Sequence, residues 1–112
     1  MAFDVAAFDV IVVPFPYSDQ LAEKRRPALV ISNDRLHAEG FVWIAMITSA
    51  GREHRAGDVA IRDLKAAGLP GASLLRASKI ATIEPARILR RVGSLAKGER
   101  TAVKRAIAGF LT

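Results

Sequence analysis

Short apolar runs rich in β-branched residues, each broken by a proline, a glycine or an Asn-Asp pair, set the strongest constraint on how this chain folds. Runs of this length and composition are typical of β-strands, and the breaks between them are typical of turns. They predict strands at 9–14, 27–32, 41–48, 58–61, 72–76, 79–84 and 87–92. The segments 17–26, 49–57 and 63–71 are predicted to be polar loops.

The end of the chain has a different period. Its apolar residues are spaced i, i+3, i+4, i+7 and i+8, which lines one face of an α-helix of about 12–15 residues: Val103, Ala106, Ile107, Phe110 and Leu111. Many short strands and one helix indicate a mainly β fold, a small antiparallel sheet or barrel covered by the C-terminal helix. We expect Phe41, Trp43 and Phe110 to belong to the core.

Composition narrows the class of protein. A chain of 112 residues is expected to form one domain, 1–112, and 51% hydrophobic with 25% charged residues is typical of a folded protein. With Cys 0 there is no disulfide and no thiolate nucleophile, and no leader or membrane span is recognisable, so we expect a soluble cytoplasmic protein. The net charge of +6 favours a polyanionic partner such as nucleic acid.

The common catalytic templates are missing from the sequence. It contains no P-loop, no dinucleotide-binding glycine turn, no His-Glu-x-x-His pair and no Gly-x-Ser-x-Gly elbow. His37 and His54 lie in polar segments and are interpreted as surface histidines, although either could act as a general base. No metal and no cofactor are expected.

Three adjacent cations, Lys24, Arg25 and Arg26, stand directly before Pro27. Adjacent like charges repel one another and gain no packing, so the run is either a solvated loop or a surface that meets phosphate groups. Arg26 differs from its neighbours, because the residue before a proline is restricted to extended backbone conformations. We expect its guanidinium to be held more firmly than that of a loop arginine.

A series of short motifs runs in order over nearly the whole chain: FDVIV (8–12), VPFPYSD (13–19), KRRPALVIS (24–32), ITS (47–49), SLLR (73–76), ATIE (81–84) and RRVGSL (90–95). With the C-terminal helix, this series resembles the PemK/MazF family of toxin endoribonucleases. The resemblance implies a small SH3-like antiparallel barrel with a C-terminal α-helix, a fold shared with the gyrase poison CcdB.

The resemblance also implies the toxin of a type II toxin–antitoxin system, which cuts single-stranded RNA sequence-selectively and without a metal. In that family the arginine before the Pro-Ala-Leu-Val strand and the threonine after the third strand form the cleavage site. These positions are Arg26 and Thr48 here. The 2′-OH of the RNA attacks phosphorus and leaves a 2′,3′-cyclic phosphate. Arg26, always protonated, suits bidentate contact to the scissile phosphate, and Thr48 suits positioning of the 2′-OH or a phosphate oxygen.

Some relatives use a further arginine, and Arg76 occupies its place, although an exposed strand cation without a role fits the same residue. Those relatives carry an acid–base aspartate two residues later, whereas this chain has Ser78, a poor proton carrier. Glu23, shortly before Arg26, is our first choice for the base. His54 is the other choice, or the site has no dedicated base.

Further RNA contacts are expected from polar and cationic residues around this site. Tyr17 either stacks on an unpaired base or covers the barrel end. The other candidates for contacts to RNA are Lys24, Arg25, Ser49, Arg52, Ser78 and Lys79. The resemblance implies a homodimer with RNA in a groove across its two-fold axis. It also implies a cognate antitoxin whose acidic, mostly disordered segment covers the same surface.

Two other functions stay open at this point. A non-nuclease poison that binds a protein target such as DNA gyrase, as CcdB does, would need neither Arg26 nor Thr48. A catalytically weak RNA- or DNA-binding relative is the second alternative, and the serine at position 78 favours it. Such a protein would bind RNA in a salt-sensitive way without cutting it.

Overall fold

The computed structural model describes residues 4–14, 24–51 and 53–112, which form one curled antiparallel sheet and short helices. The strands are β1 (Asp9–Pro14), β2 (Arg25–Val30), β3 (Val42–Ser49), β4 (Asp58–Ile61), β5 (Ser73–Ile83) and β6 (Arg90–Ser94). The α-helices are α1 (Asp34–Ala38), α2 (Leu64–Ala67) and α3 (Arg100–Ala108). The strand order is β4-β5-β3-β2-β1-β6, with every neighbouring pair antiparallel. The predicted mainly β fold with a C-terminal helix is confirmed.

Apolar side chains are buried on both faces of the sheet. One face carries a core with Val10, Leu29, Ala45, Ile47, Leu75 and, from α3, Val103. The opposite face carries a second core with Ile11, Val13, Ala28, Ile44, Met46 and Ile88. Side chains alternate between the faces along a strand, so β2 and β3 supply both cores. This explains why the third strand is apolar almost throughout.

A bulge interrupts the pairing of β5 with β3. Ala45 pairs with Ile80, but the next residue, Met46, pairs with Arg76, which leaves 77–79 as extra residues in β5. The two strands predicted at 72–76 and 79–84 are therefore one strand. Extra residues in a strand change its direction and the aim of its side chains, and Lys79 closes this bulge.

Two short helices occupy segments predicted to be turn or loop. Asn33 caps α1, its Oδ1 accepting from the Arg35 N–H at 3.0 Å, and Asp63 caps α2, its Oδ1 accepting from the Ala66 N–H at 3.0 Å. Helices of one turn are too short to produce an apolar period. The helix α3 has 9 residues and follows a 3₁₀ turn at Lys97–Glu99, so it is shorter than predicted.

The prediction that three aromatic residues belong to the core is wrong. Phe41, Trp43 and Phe110 are 45%, 48% and 52% exposed. Trp43 shares the face of Ala45 but lies at the start of β3, and its cross-strand neighbour Thr82 is exposed as well. Phe110 follows the C-cap Gly109, where α3 has already ended.

Candidate functional site

A cavity of about 210 Å³ lies beside β5, where β2 begins and β3 ends. Four cationic side chains line it, and none of the described lining residues is acidic. The complete lining is Arg26, Met46, Ile47, Thr48, Arg55, Arg76 and Lys79. Clustered cations form a region of positive potential that attracts phosphate groups.

The ends of two neighbouring strands bring Arg26 and Thr48 to this cavity. Arg26 is the second residue of β2, so it belongs to a strand and not to the predicted loop. Thr48 is the last residue but one of β3. Ala28 pairs with Met46, so the same antiparallel register places Arg26 and Thr48 two residues closer to this end of the sheet. Both side chains are half-buried.

Two further cavities adjoin the first and share Arg26 with it. One, of about 340 Å³, also includes Thr48, Ser49 and Arg90. The other, of about 420 Å³, includes Arg25, Leu89 and Arg90. Both are likewise free of acidic side chains among the residues that the structure describes. The positive surface therefore continues from Arg26 to Arg25 and Arg90.

Arg76 is held by a two-point ion pair with Asp58 of the neighbouring strand. Arg76 Nε donates to Asp58 Oδ1 at 3.1 Å, and Nη2 donates to Oδ2 at 3.0 Å. The side chains of Arg76 and Asp58 are only 11% and 2% exposed, so the interpretation of Arg76 as an exposed cation is wrong. The hydrogen-bonded guanidinium holds the pKa of Asp58 below its usual range, and the carboxylate raises the pKa of Arg76.

One end of the Arg76 guanidinium is left for a ligand. Its Nη2 also donates to the Glu53 carbonyl oxygen at 2.6 Å, so Nε and Nη2 are both committed. A guanidinium has five N–H donors, two of them on Nη1. Within the described part of the chain no hydrogen bond is formed by Nη1. Since Arg76 lines the cavity, Nη1 is the group with which it can bind an anion there.

The structure brings four of the predicted residues to the first cavity and leaves others away from it. Arg26, Thr48, Arg76 and Lys79 line it. Ser78 is exposed in the bulge and does not line it. Three further residues lie in the neighbouring surface: Ser49 and Arg25 in the adjoining cavities, and Lys24 exposed just before β2. Glu23, Tyr17 and Arg52 lie outside the described residues.

The two histidines have different environments. The His37 side chain is only 13% exposed, which corrects its interpretation as a surface residue. Its Nε2 lies 2.7 Å from Ser32 Oγ, and this hydroxyl also accepts from the Trp43 N–H at 2.9 Å. His37 therefore ties α1 to the start of β3. His54 is exposed and directly precedes Arg55, but His54 itself does not line the first cavity.

Sequence reasoning missed Arg55 and Asp58. Arg55 was only one of several charges in the predicted loop 49–57, and Asp58 was only the first residue of a strand. The signal that could have indicated Asp58 is the pairing of β4 with β5, in which Asp58 lies opposite Arg76. An acid and an arginine at one cross-strand position would have indicated the ion pair. Among the described residues no three His, Asp or Glu side chains are grouped as metal ligands.

The fold and the site together define a small, curled β-barrel protein with a cation-lined cavity at one end. Within the described ranges every helix falls short of the length and apolarity that a bilayer-spanning segment needs. Residues 6–111 match the model of the family described as PemK-like, MazF-like toxin of type II toxin-antitoxin system, and the chain belongs to this family.

Relatives and solved structures agree with this assignment. A Mycolicibacterium smegmatis protein called "Probable endoribonuclease MazF" is 31% identical over 88 residues, 79% of this chain and 81% of that protein. The structure of the Mycobacterium tuberculosis toxin MazF-mt6 superimposes with a TM-score of 0.72 at 20% identity, covering 90% of this chain and 93% of that chain.

Two further structures have the same fold. An endoribonuclease from a mycobacterial species, solved in complex with its cognate antitoxin, has a TM-score of 0.77 at 17% identity, over 96% and 95% of the two chains. MazF from Deinococcus radiodurans has a TM-score of 0.76 at 17% identity, over 97% of both chains. The predicted SH3-like barrel and the predicted endoribonuclease toxin family are confirmed.

Proposed function

We propose that this toxin is a metal-independent, sequence-selective endoribonuclease that cuts single-stranded RNA in the cavity at Arg26. The observation that carries the proposal is the meeting of Arg26, Thr48 and Arg76 on one cavity without acidic lining among the described residues. These three residues come from separate motifs: Thr48 lies 22 positions after Arg26, and Arg76 lies 28 positions after Thr48. The M. smegmatis relative is called a probable endoribonuclease, which supports the same activity.

The proposed chemistry uses the RNA's own 2′-OH. The 2′-oxygen bonds to phosphorus while the bond from phosphorus to the 5′-oxygen breaks. A base accepts the 2′-OH proton, and the departing 5′-oxygen receives a proton. The products are a 2′,3′-cyclic phosphate and a 5′-hydroxyl. The protein therefore has to orient the phosphate and stabilise its added negative charge, which is the function of fixed donors.

Each cavity residue suits one part of this chemistry. Arg26 contacts the scissile phosphate through two N–H groups. The Nη1 group of Arg76 and the ammonium of Lys79 contribute further positive charge to the same cavity. Thr48 positions the 2′-OH or a phosphate oxygen. Lys24, Arg25, Ser49 and Ser78 are proposed to contact RNA outside the scissile nucleotide, and Tyr17 to contact a base.

The base is proposed to be Glu23, with His54 as the competing choice. Glu23 precedes Arg26 by three residues in the sequence. His54 directly precedes Arg55, whose side chain lines the cavity. Substitution separates the two choices, because removal of the true base removes its ionisation from the pH profile of kcat/KM. The rising limb of kcat/KM should disappear in Glu23→Gln and persist in His54→Gln.

The proposed partners follow from the site and the family. A structure of a relative with its cognate antitoxin supports an antitoxin partner for this chain. An acidic, disordered antitoxin segment suits the positive surface at Arg25, Arg26 and Arg90, where it competes with RNA. We also propose that residues 1–112 act as one toxin domain, that the toxin is a homodimer and that it works in the cytoplasm.

The first experiment is cleavage of a long single-stranded RNA in EDTA, with the fragment ends mapped by primer extension. Wild type should cut at discrete sites and leave 2′,3′-cyclic phosphates, and RNA with a 2′-deoxynucleotide at a mapped site should resist. Arg26→Ala should lose cleavage while melting normally. Arg105→Ala, which removes an exposed cation from α3, is the matched control and should cut like wild type.

Other outcomes contradict the proposal in distinct ways. A 3′-hydroxyl with a 5′-phosphate, or strict dependence on Mg²⁺, would refute the 2′-OH route. Salt-sensitive RNA binding without any cut would indicate a catalytically weak relative. Intact RNA together with inhibition of DNA supercoiling would indicate a gyrase-binding poison.

A further inference from the structure

We propose that Asp58 is the positioning residue of the cleavage cavity, because its carboxylate fixes Arg76 through the side chain and Arg55 through the backbone. This inference rests on the proposed function and extends it to a residue to which the family resemblance did not point. One buried acid then holds the guanidinium of Arg76 and the backbone of Arg55, which are two of the four cationic residues of the cavity.

The contact to Arg76 leaves the guanidinium little freedom. Asp58 stands directly opposite Arg76 in the pairing of β4 with β5. Both carboxylate oxygens accept from it, at 3.1 Å to Nε and 3.0 Å to Nη2. Two parallel hydrogen bonds fix the plane of a guanidinium as well as its position. The plane fixes in turn where Nη1 points, and Nη1 is the part of Arg76 available to a phosphate.

The contact to Arg55 acts on the loop before β4. The Arg55 N–H donates to Asp58 Oδ2 at 2.8 Å, and this hydrogen bond closes the turn that runs from Arg55 to Asp58. Arg76 Nη2 donates to the Glu53 carbonyl oxygen at 2.6 Å and holds the loop from the other side. The side chain of Arg55 is exposed and lines the cavity. Asp58 and Arg76 together therefore hold the backbone from which the Arg55 side chain extends.

The environment of Asp58 suits positioning and not proton transfer. Its side chain is 2% exposed, and both oxygens are engaged by Arg76 and by the Arg55 N–H. The guanidinium lowers the pKa of Asp58, so the group stays ionised and does not carry a proton at neutral pH. The carboxylate that holds Arg76 comes from the neighbouring strand β4.

A double-mutant cycle tests the inference with an oligoribonucleotide that contains one mapped cleavage site. Asp58→Asn keeps the side-chain size and one oxygen for the Arg55 N–H, but removes the charge and one acceptor of Arg76. We expect kcat to fall about 10- to 100-fold, as when a catalytic group is misplaced. KM should stay within about twofold. In the Arg76→Ala background the same change should lower kcat by less than about twofold.

The controls separate positioning from folding and from charge. Asp34→Asn removes the same charge from a fully exposed carboxylate and should cut like wild type. If Asp58→Asn does not fold, Arg76→Lys gives the second test. It keeps the charge but loses the two-point contact, so kcat should fall about 10-fold or more. The inference would be overturned if Asp58→Asn lowered kcat by the same factor in the wild-type and Arg76→Ala backgrounds. It would also be overturned if folded Asp58→Asn or folded Arg76→Lys had wild-type kcat.

A measurement without cleavage distinguishes failure of this inference from failure of the proposed function. Phenylglyoxal modifies accessible arginines, and it should label Arg76 faster in Asp58→Asn than in wild type. Unchanged labelling would overturn the positioning by Asp58. Faster labelling of Arg76, combined with a wild-type protein that cuts no RNA, would overturn the proposed function alone.

Discussion

Arg26 and Thr48 line the same two cavities from adjacent strands. Arg26 stands at the start of β2 and Thr48 at the end of β3, so their functional groups share one space at this end of the sheet. A guanidinium supplies charge and paired donors, and a hydroxyl can both donate and accept. In the proposed reaction, a phosphodiester bound in this space would meet both groups, and the Thr48 hydroxyl would be an acceptor for the 2′-OH.

The hydroxyl of Thr48 is therefore expected to act in the chemical step. Thr48→Val keeps the shape of the side chain and should lower kcat for RNA cleavage about 100-fold, the cost of removing one fixed donor from a charged transition state. Thr48→Ser should retain most of the activity. The matched control is Thr101→Val on the exposed side of α3, which should have wild-type kcat. Equal kcat values for Thr48→Val and Thr101→Val would remove Thr48 from the mechanism.

Local signals in the sequence predicted most of the strands. Proline at position 27 and the apolar runs placed the ends of β2 and β3 to within two residues. Pro27 also distinguished Arg26 from a loop arginine, but the cleavage roles of Arg26 and Thr48 came only from the resemblance to the PemK/MazF family. The pairing of strands is a long-range property that apolar runs do not specify. For this reason the contact between Asp58 and Arg76, 18 residues apart, was missed.

The errors about burial have a related cause. An apolar aromatic residue in a strand is buried only if another element packs against its face of the sheet. The sequence does not show how far along the strand that packing extends. Trp43 is exposed because it lies at the start of β3, beyond the buried part of its face of the sheet. Phe110 is exposed and lies after the last residue of α3. The histidine His37 was misjudged for the converse reason, because its burial depends on a helix too short to be predicted.

The ion pair of Asp58 with Arg76 should make stability depend on pH in the acid range. The pKa of Asp58 is lowered in the folded protein, so the unfolded chain takes up its proton first as the pH falls. The stabilisation is complete well above the usual Asp pKa of about 3.9. It is lost as the pH falls through the folded-state value. The free energy of unfolding should therefore differ between wild type and Asp58→Asn at pH 7.

At pH 3 this difference should be smaller, as measured by urea unfolding of both proteins at both pH values. Asp34→Asn gives the baseline, because that carboxylate is fully exposed. A difference between wild type and Asp58→Asn that grows toward acid pH would contradict the assigned direction of the pKa shift.

The cavity shared by Arg25, Arg26 and Arg90 should bind a phosphate outside the cleavage site. Each phosphate that a cation neutralises on a single strand adds about 0.7 to the slope of log affinity against log salt. Arg90→Gln should therefore lower that slope by about 0.7 for an RNA made uncleavable by 2′-deoxy substitution. Binding is measured by anisotropy between low and moderate salt. Arg105→Gln, the control, should keep the wild-type slope, and an unchanged slope in Arg90→Gln would exclude this contact.

Glu99 should contribute to stability and not to cleavage. Its side chain is 7% exposed, and its two oxygens accept from the backbone N–H groups of Arg62 and Asp63 at 2.6 and 3.1 Å. It thereby fastens the segment after β4 to the start of α3, whose Val103 is buried in the core. Glu99→Ala removes the acceptor of both groups. It should lower the free energy of unfolding by about 2 kcal/mol, the cost of leaving buried donors unpaired.

Glu39 is an exposed glutamate after α1, so Glu39→Ala is the control. It shows whether the loss of unfolding free energy is specific to Glu99. Urea unfolding should place Glu39→Ala within about 0.5 kcal/mol of wild type, as for other surface substitutions. Both variants should cut RNA with wild-type kcat at a temperature where they are folded, because neither residue lines the cation-lined cavity. A fall in kcat for folded Glu99→Ala would mean that the segment after β4 controls the cavity through Asp58, which begins that strand.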